Sequence, residues 1–305
     1  MDTPLGSFGN PVSIACRADS RLIVVRPDGI AACYDSSNGV LLSDIGGGVL
    51  AAGAANGSNR CAILRALPGG ASRAARLSIL NESLDEVNAI DVPMSFAARP
   101  YASVPWTHCI SWSATDEVIA ISTSPQHRSE GPAECFLFDH AKHSLGFAPN
   151  WSNVWFVDDR RVVASRFGCP YAVRLAEVLH EGEQMTLAAL VSGRISGWRV
   201  AASDPVRGLF AVWQTRPFFL PLAYRGKGIL EIRDSRGNHF GSSVREYSLF
   251  STAGFVDRND RRVGRRGRRG RSCNRAWSPA DGRSFVNWSF GIRRFYVLGH
   301  AIARG

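Results

Sequence analysis

The feature that most constrains this chain is a recurring strand–turn–strand unit. It is drawn most sharply at Arg275-Ala276-Trp277-Ser278-Pro279-Ala280-Asp281-Gly282-Arg283-Ser284-Phe285-Val286-Asn287-Trp288. A short apolar run ends in Trp-Ser, Pro-x-Asp-Gly supplies turn chemistry, and the next run alternates as a half-buried strand does. Trp112-Ser113 and Asp116 repeat Trp277-Ser278 and Asp281 in type and spacing, with looser copies at 18–25, 155–159 and 198–204. The turn aspartates at 116, 158 and 204 lie 42 and 46 residues apart, and Asp19 precedes Asn59, the matching turn of a weaker copy, by 40.

Around these copies the chain reads as short strands between turns. Residues 12–17, 22–26, 30–34 and 40–45 are apolar runs divided by Asp19-Ser20, Pro27-Asp28-Gly29 and Ser36-Ser37-Asn38-Gly39. Gly and Asn accept the positive φ angles that such hairpins need. Gly46-Gly47-Gly48 breaks the chain before a poorer copy with strands expected at 49–55, 61–67 and 75–80, where Ala and Gly lower strand propensity. From 81 to 105 the pattern lapses. Ser83-Leu84-Asp85-Glu86 reads there as a capping box opening one helical turn, and Pro93, Pro100 and Pro105 favour an irregular connection. Residues 171–179 and 185–191 fit an outer hairpin joined at Glu181-Gly182. Val173, Leu175, Val178 and Leu179 would also line one face of a helix, but the flanking repeat favours strands.

A repeat of roughly 40 to 45 residues is the length of one four-stranded propeller blade, which has two apolar faces and must be covered on both sides. On Trp112-Ser113-Ala114-Thr115-Asp116 and Trp277-Ser278-Pro279-Ala280-Asp281-Gly282 the chain resembles a β-propeller of the WD40 or TolB-like kind. The resemblance implies an architecture. It is all-β, one domain over 1–305 with about six four-stranded blades and insertions at about 81–105 and 257–273. Seven blades, or a non-closed array of β-sandwich sheets, are the alternatives. No blade carries both the Gly-His and Trp-Asp dipeptides of WD40 repeats, and only the last has the full Trp-Ser-Pro-x-Asp-Gly of TolB-like blades.

Composition sets the class. Hydrophobic residues at 45% and charged residues at 20% exclude a mostly disordered chain. Cys16, Cys33, Cys61, Cys109, Cys135, Cys169 and Cys273 are scattered and odd in number, as expected of reduced, mainly buried thiols in a cytosolic protein. No apolar run reaches the roughly 18 residues of a membrane span, and Met1-Asp2-Thr3-Pro4-Leu5-Gly6 lacks the regions of a secretory signal, so a soluble, cytoplasmic protein without membrane insertion is expected.

The net charge of +10 is almost all arginine, since Lys142 and Lys227 are the only lysines. It concentrates in one segment, where Arg258, Arg261, Arg262, Arg265, Arg266, Arg268, Arg269 and Arg271 place eight guanidinium groups in fourteen residues. Self-repulsion and glycine freedom predict a projecting loop, and the guanidinium forks suit an anionic partner: nucleic acid, another polyanion or an acidic protein surface. The opposing reading is a solvated insertion whose composition follows genome bias.

Other candidates yield to structural readings. His140 and His143 fall in a hairpin turn, Asp158-Asp159 sits at the inter-strand turn of the repeat, and the tryptophans fit wedges between blades, with an aromatic platform for sugars or bases as the alternative. Gly46-Gly47-Gly48 lacks the Lys-Ser/Thr of a phosphate loop, and no Gly-x-Ser-x-Gly elbow is present. Neither a catalytic residue, a metal ligand nor a cofactor is therefore assigned. The expected function is a non-enzymatic interaction scaffold for a protein or other macromolecular partner. A nucleic-acid-associated propeller using 258–271 is the alternative, and a hydrolase or lyase at the central channel the third possibility.

Overall fold

A computed structural model describes the chain from Ser13 to His300, apart from residues 18, 27, 37–38, 68–73, 95–107, 124–132, 167–171, 183, 197–198, 216–224, 249–251, 258–282 and 291–292. The described residues form strands and turns. Among them, no helix is long and apolar enough to cross a membrane, a statement that does not bear on β-barrels.

Five antiparallel four-stranded sheets follow one another, each in plain sequence order. Blade 1 holds β1 (Ser13–Cys16), β2 (Arg21–Val25), β3 (Ala31–Asp35) and β4 (Leu41–Gly46). Blade 2 holds β5 (Val49–Ala54), β6 (Cys61–Ala66), β7 (Ala75–Leu80) and β8 (Glu86–Val92). Blade 3 holds β9 (His108–Trp112), β10 (Val118–Thr123), β11 (Glu134–Asp139) and β12 (Ser144–Pro149). Blade 4 holds β13 (Trp151–Phe156), β14 (Arg161–Arg166), β15 (Ala172–Glu181) and β16 (Gln184–Ser196). Blade 5 holds β17 (Arg199–Asp204), β18 (Leu209–Thr215), β19 (Arg225–Asp234) and β20 (His239–Ser248).

The sixth sheet departs from the expected count of six four-stranded blades. It has three strands, β21 (Thr252–Asp257), β22 (Arg283–Phe290) and β23 (Arg293–His300), in the order β21-β23-β22. Its first strand precedes the arginine-rich segment, whereas the sequence pattern places the start of that unit at Arg275. Trp277 to Asp281 lies outside the described residues.

The first strands β1, β5, β9, β13, β17 and β21 each touch the next, and β21 also touches β1. That arrangement makes the chain a β-propeller and replaces the alternative of a non-closed array. Seven sheets are likewise not found among the described residues.

Packing explains why the middle strands are apolar on both faces. On β10 and β11, Ile119, Ile121, Phe136 and Phe138 pack with Leu64, Leu77 and Ile79 of blade 2, while Ala120, Cys135 and Leu137 pack with Val154, Phe156 and Val162 of blade 4. Blade 3 is thus sandwiched, and every fully buried Ile, Leu or Phe contributes roughly 1.5–3 kcal/mol. Corresponding layers join blades 1 and 2 through Ile23, Cys33 and Ile63, and blades 4 and 5 through Val163, Leu175 and Phe210.

One further expectation changes and another is met. Ser83 to Glu86 opens no helical turn: Asn81 Oδ1 accepts the Asp85 N–H at 2.9 Å, Leu84 takes φ 72°, and Glu86–Val92 becomes the fourth strand of blade 2. An Asx turn thus wins over a capping box because β7 presents an unpaired edge. Residues 172–181 are strand, not helix, and pair with β14 and β16 around Gly182 at φ 66°.

Close sheet approach requires glycine at Gly53, where a Cβ would lie 2.6 Å from Ile110 Cγ2 and 2.9 Å from the Ile110 carbonyl oxygen. Gly53→Ala should therefore destabilise the fold by about 1–3 kcal/mol, because the clash involves the neighbouring backbone. Gly47→Ala, with open space around the position, should change stability by less than about 1 kcal/mol. Urea denaturation of the two variants checks the contrast.

Candidate functional site

The turns between first and second strands, with those between third and fourth, gather at one end of the blades, and the best-defined polar cluster lies there. Trp112 ends β9 and is 1% exposed, and its indole N–H donates to the Gly53 carbonyl of blade 2 at 3.2 Å. Four residues on, Asp116 takes φ 62°, and its carboxylate accepts the Asn56 N–H at 2.6 Å and the Gly57 N–H at 2.9 Å. Asn56 returns the contact by donating its side-chain amide to the Trp112 and Ser113 carbonyls at 3.2 and 2.8 Å. Ser113 Oγ accepts the Glu117 and Val118 N–H groups, which fixes the turn that aims Asp116.

The latch continues around the ring. His140 Nε2 lies 2.7 Å from the Asp116 carbonyl oxygen and donates to it, which sets its tautomer, and its ring meets Trp112 edge-on. His143 is exposed, and both histidines lie in the turn between β11 and β12. Asp159 Oδ1 accepts the Thr115 N–H at 2.7 Å, whereas Asp158 caps its own turn and ion-pairs with Arg161 at 2.7 Å. Arg161 in turn donates to the Ser235 carbonyl of blade 5. Between blades 1 and 2 the buried Arg17 bridges Asp19 and the Glu82 carbonyl. The Trp-Ser-x-x-Asp pattern at Trp112 to Asp116 is therefore a device that ties the turn of blade 3 to that of blade 2. Its carboxylate already holds backbone donors.

The opposite end has another character. His108 begins β9 at 8% exposure with neither ring nitrogen partnered, and Thr123, opposite it in register, is fully buried with an unpartnered hydroxyl. Burial drives the His108 pKa down to about 4. Gly46 and Gly48, at φ 98° and 73°, turn the chain from blade 1 into blade 2. Of the cysteines, Cys16, Cys33, Cys61, Cys109 and Cys135 are free, and burial pushes the Cys16 and Cys61 thiols up to about 12. Such thiols are poor nucleophiles.

The outer rim carries a feature that sequence reading misses. Each fourth strand of the five four-stranded blades exposes a large apolar side chain: Leu41 and Leu42 in β4, Val87 in β8, Phe147 in β12, Val191 in β16 and Phe240 in β20. The signal is present in the sequence only as alternation, which does not say which strand of a blade is outermost. Arg258, Arg261, Arg262, Arg265, Arg266, Arg268, Arg269 and Arg271 lie outside the described residues.

No protein-family model matches the chain, and no curated protein does. Solved structures do. TolB from Acinetobacter baumannii aligns with a TM-score of 0.50 at 10% identity over 92% of this chain and 64% of that one. The β-propeller domain of Cps50 (Swd1) from Myceliophteria thermophila aligns at 0.46, with 11% identity over 94% and 82% of the two chains. U3-55K aligns at 0.47, with 7% identity over 95% and 80%. This chain spans less than two thirds of the TolB structure, and at such identities the likeness shows the propeller fold alone.

Two predictions follow from the ends of the blades. Asp116→Ala should cost about 1–3 kcal/mol in chemical denaturation, because the Asn56 and Gly57 N–H groups lose a charged acceptor and alanine strains at positive φ. His108 binds a proton in the unfolded chain below its ordinary pKa but in the folded chain only below about 4, so its contribution to stability is lost as pH falls through that window. Between pH 7.5 and 4.5 the wild type should therefore lose roughly 2–3 kcal/mol more than His108→Leu, read from urea midpoints at both pH values.

Proposed function

We propose that this propeller is a non-enzymatic interaction scaffold that binds a protein partner on its outer rim. The observation that carries the reading is the recurrence of an exposed large apolar side chain on the fourth strand of each four-stranded blade. Single exposed apolar residues are ordinary, but their alignment on one ring of outermost strands gives a partner repeated anchoring points. The engagement of Asp116 and Asp159 in turn-to-turn bonds, and of Asp158 within its own turn, adds support, since it leaves that end little free polar chemistry.

A second reading makes Arg258 to Arg271 the principal contact, with nucleic acid or another polyanion as the partner. Its support is charge density, eight arginines in fourteen residues. Phosphate contacts of that kind bind with little sequence preference and weaken steeply with salt.

Cross-linking mass spectrometry on the full chain captured from its native source tests the first reading. Cross-links should concentrate on the fourth strands, and deletion of 258–271 should leave the partner bound. Loss of the partner on that deletion, together with steep salt dependence in a gel-shift titration, would transfer the function to the arginine-rich segment. Absence of any partner above the bait-free control would remove the scaffold reading.

A further inference from the structure

Blades 1 and 2 differ in surface charge from the blades that follow. Among the described residues from 13 to 94, Asp28, Asp44, Glu82, Asp85, Glu86 and Asp91 are exposed acids, against Arg76 and the part-exposed side chains of Arg21 and Arg26, which are ion-paired with Asp19 and Asp28. Arg76 is itself engaged by Glu86 at 3.2 Å and Asp91 at 3.6 Å. Among the described residues from 108 to 241, by contrast, three exposed acids face five exposed lysines and arginines. In a chain of net charge +10 this acidic sector stands apart.

The topology places acid and apolar residues at the turn end of the outer strands in two adjacent blades. β4 and β8 are the outermost strands of adjacent blades, and both begin at the turn end. At the start of β4, Val40, Leu41 and Leu42 are 48%, 55% and 47% exposed. At the start of β8, Val87 is 57% exposed beside Glu82, Asp85 and Glu86. The pairing of β4 with β3 shifts register twice, between Ala31 and Ala32 and between Cys33 and Tyr34. Bulges of this kind twist an edge away from strand addition, so a partner on this rim would be held by side chains and not by an added strand.

We infer that the rim formed by the starts of β4 and β8 docks a basic polypeptide segment bearing apolar anchors. The inference rests on the scaffold reading and specifies the partner's chemistry. Carboxylates around an apolar strip attract a cationic segment and repel nucleic acid and anionic membranes, while Leu41, Leu42 and Val87 supply the surface that is buried.

Fluorescence anisotropy of a labelled synthetic peptide alternating arginine and leucine, titrated with the full chain, tests this. Binding should saturate and weaken roughly tenfold or more between about 50 mM and 300 mM NaCl. The Leu41→Ser/Leu42→Ser pair and the Glu82→Gln/Asp85→Asn/Glu86→Gln triple should each weaken it roughly tenfold, with thermal midpoints unchanged because the side chains are exposed. No binding, or unchanged binding by both variants, overturns the assignment. So does a concentration-dependent dimer abolished by the leucine pair, which would place a second copy on the rim, or duplex DNA binding that is lost in the same variants. If the natural partner stays bound to both variants, the rim assignment falls and the scaffold reading stands.

Discussion

A sheet with two apolar faces cannot hide both by itself, and everything else in this structure depends on that constraint. Ile119 and Phe138 on one side of blade 3, and Ala120 and Leu137 on the other, need neighbours in opposite directions. Radial stacking supplies them, and each added blade both gives and receives cover. The inner strands must then come close, which is why Gly53 sits against Ile110 and why Trp112 can reach the carbonyl of a residue in the preceding blade.

Stacking alone leaves the blades free to slide, because apolar contact is not directional. The turn-end latch removes that freedom. Asp116 holds Asn56 and Gly57, Asp159 holds Thr115, and Arg161 reaches Ser235, so blades 2 to 5 are registered on one another by charge-assisted bonds to backbone. The polar groups with the strongest motif signal are thereby used by the fold. The outermost strands, by contrast, keep large apolar side chains exposed, among them Leu41, Leu42, Val87, Phe147, Val191 and Phe240.

The hairpins of blade 1 were legible because their turn chemistry is local. Asp28 accepts the Ile30 N–H, and Gly29 and Gly39 take φ 79° and 71°, as Pro-Asp-Gly and Asn-Gly signals require. β8 was not legible, since Glu86 to Val92 alternates weakly and its start looks like a helix cap. It is a strand because β7 offers it an edge. The latch partner of Asp116 lies 60 residues away at Asn56, a distance that no local pattern spans. The three-stranded order of the sixth sheet was hidden for a similar reason, because β21 precedes the arginine-rich segment and pairs with β23 beyond it. The rim was the least visible feature. Its apolar residues read like those of any strand until the order of strands within each blade is known.

Hydrogen–deuterium exchange of the full chain, alone and with its captured partner, tests the scaffold assignment most directly. Docking on the acidic rim predicts slowed exchange concentrated in β4, β8 and the turn from Asn81 to Asp85, with the inner strands unchanged. Protection confined to residues 258–271, or absent from both outer strands, would contradict it.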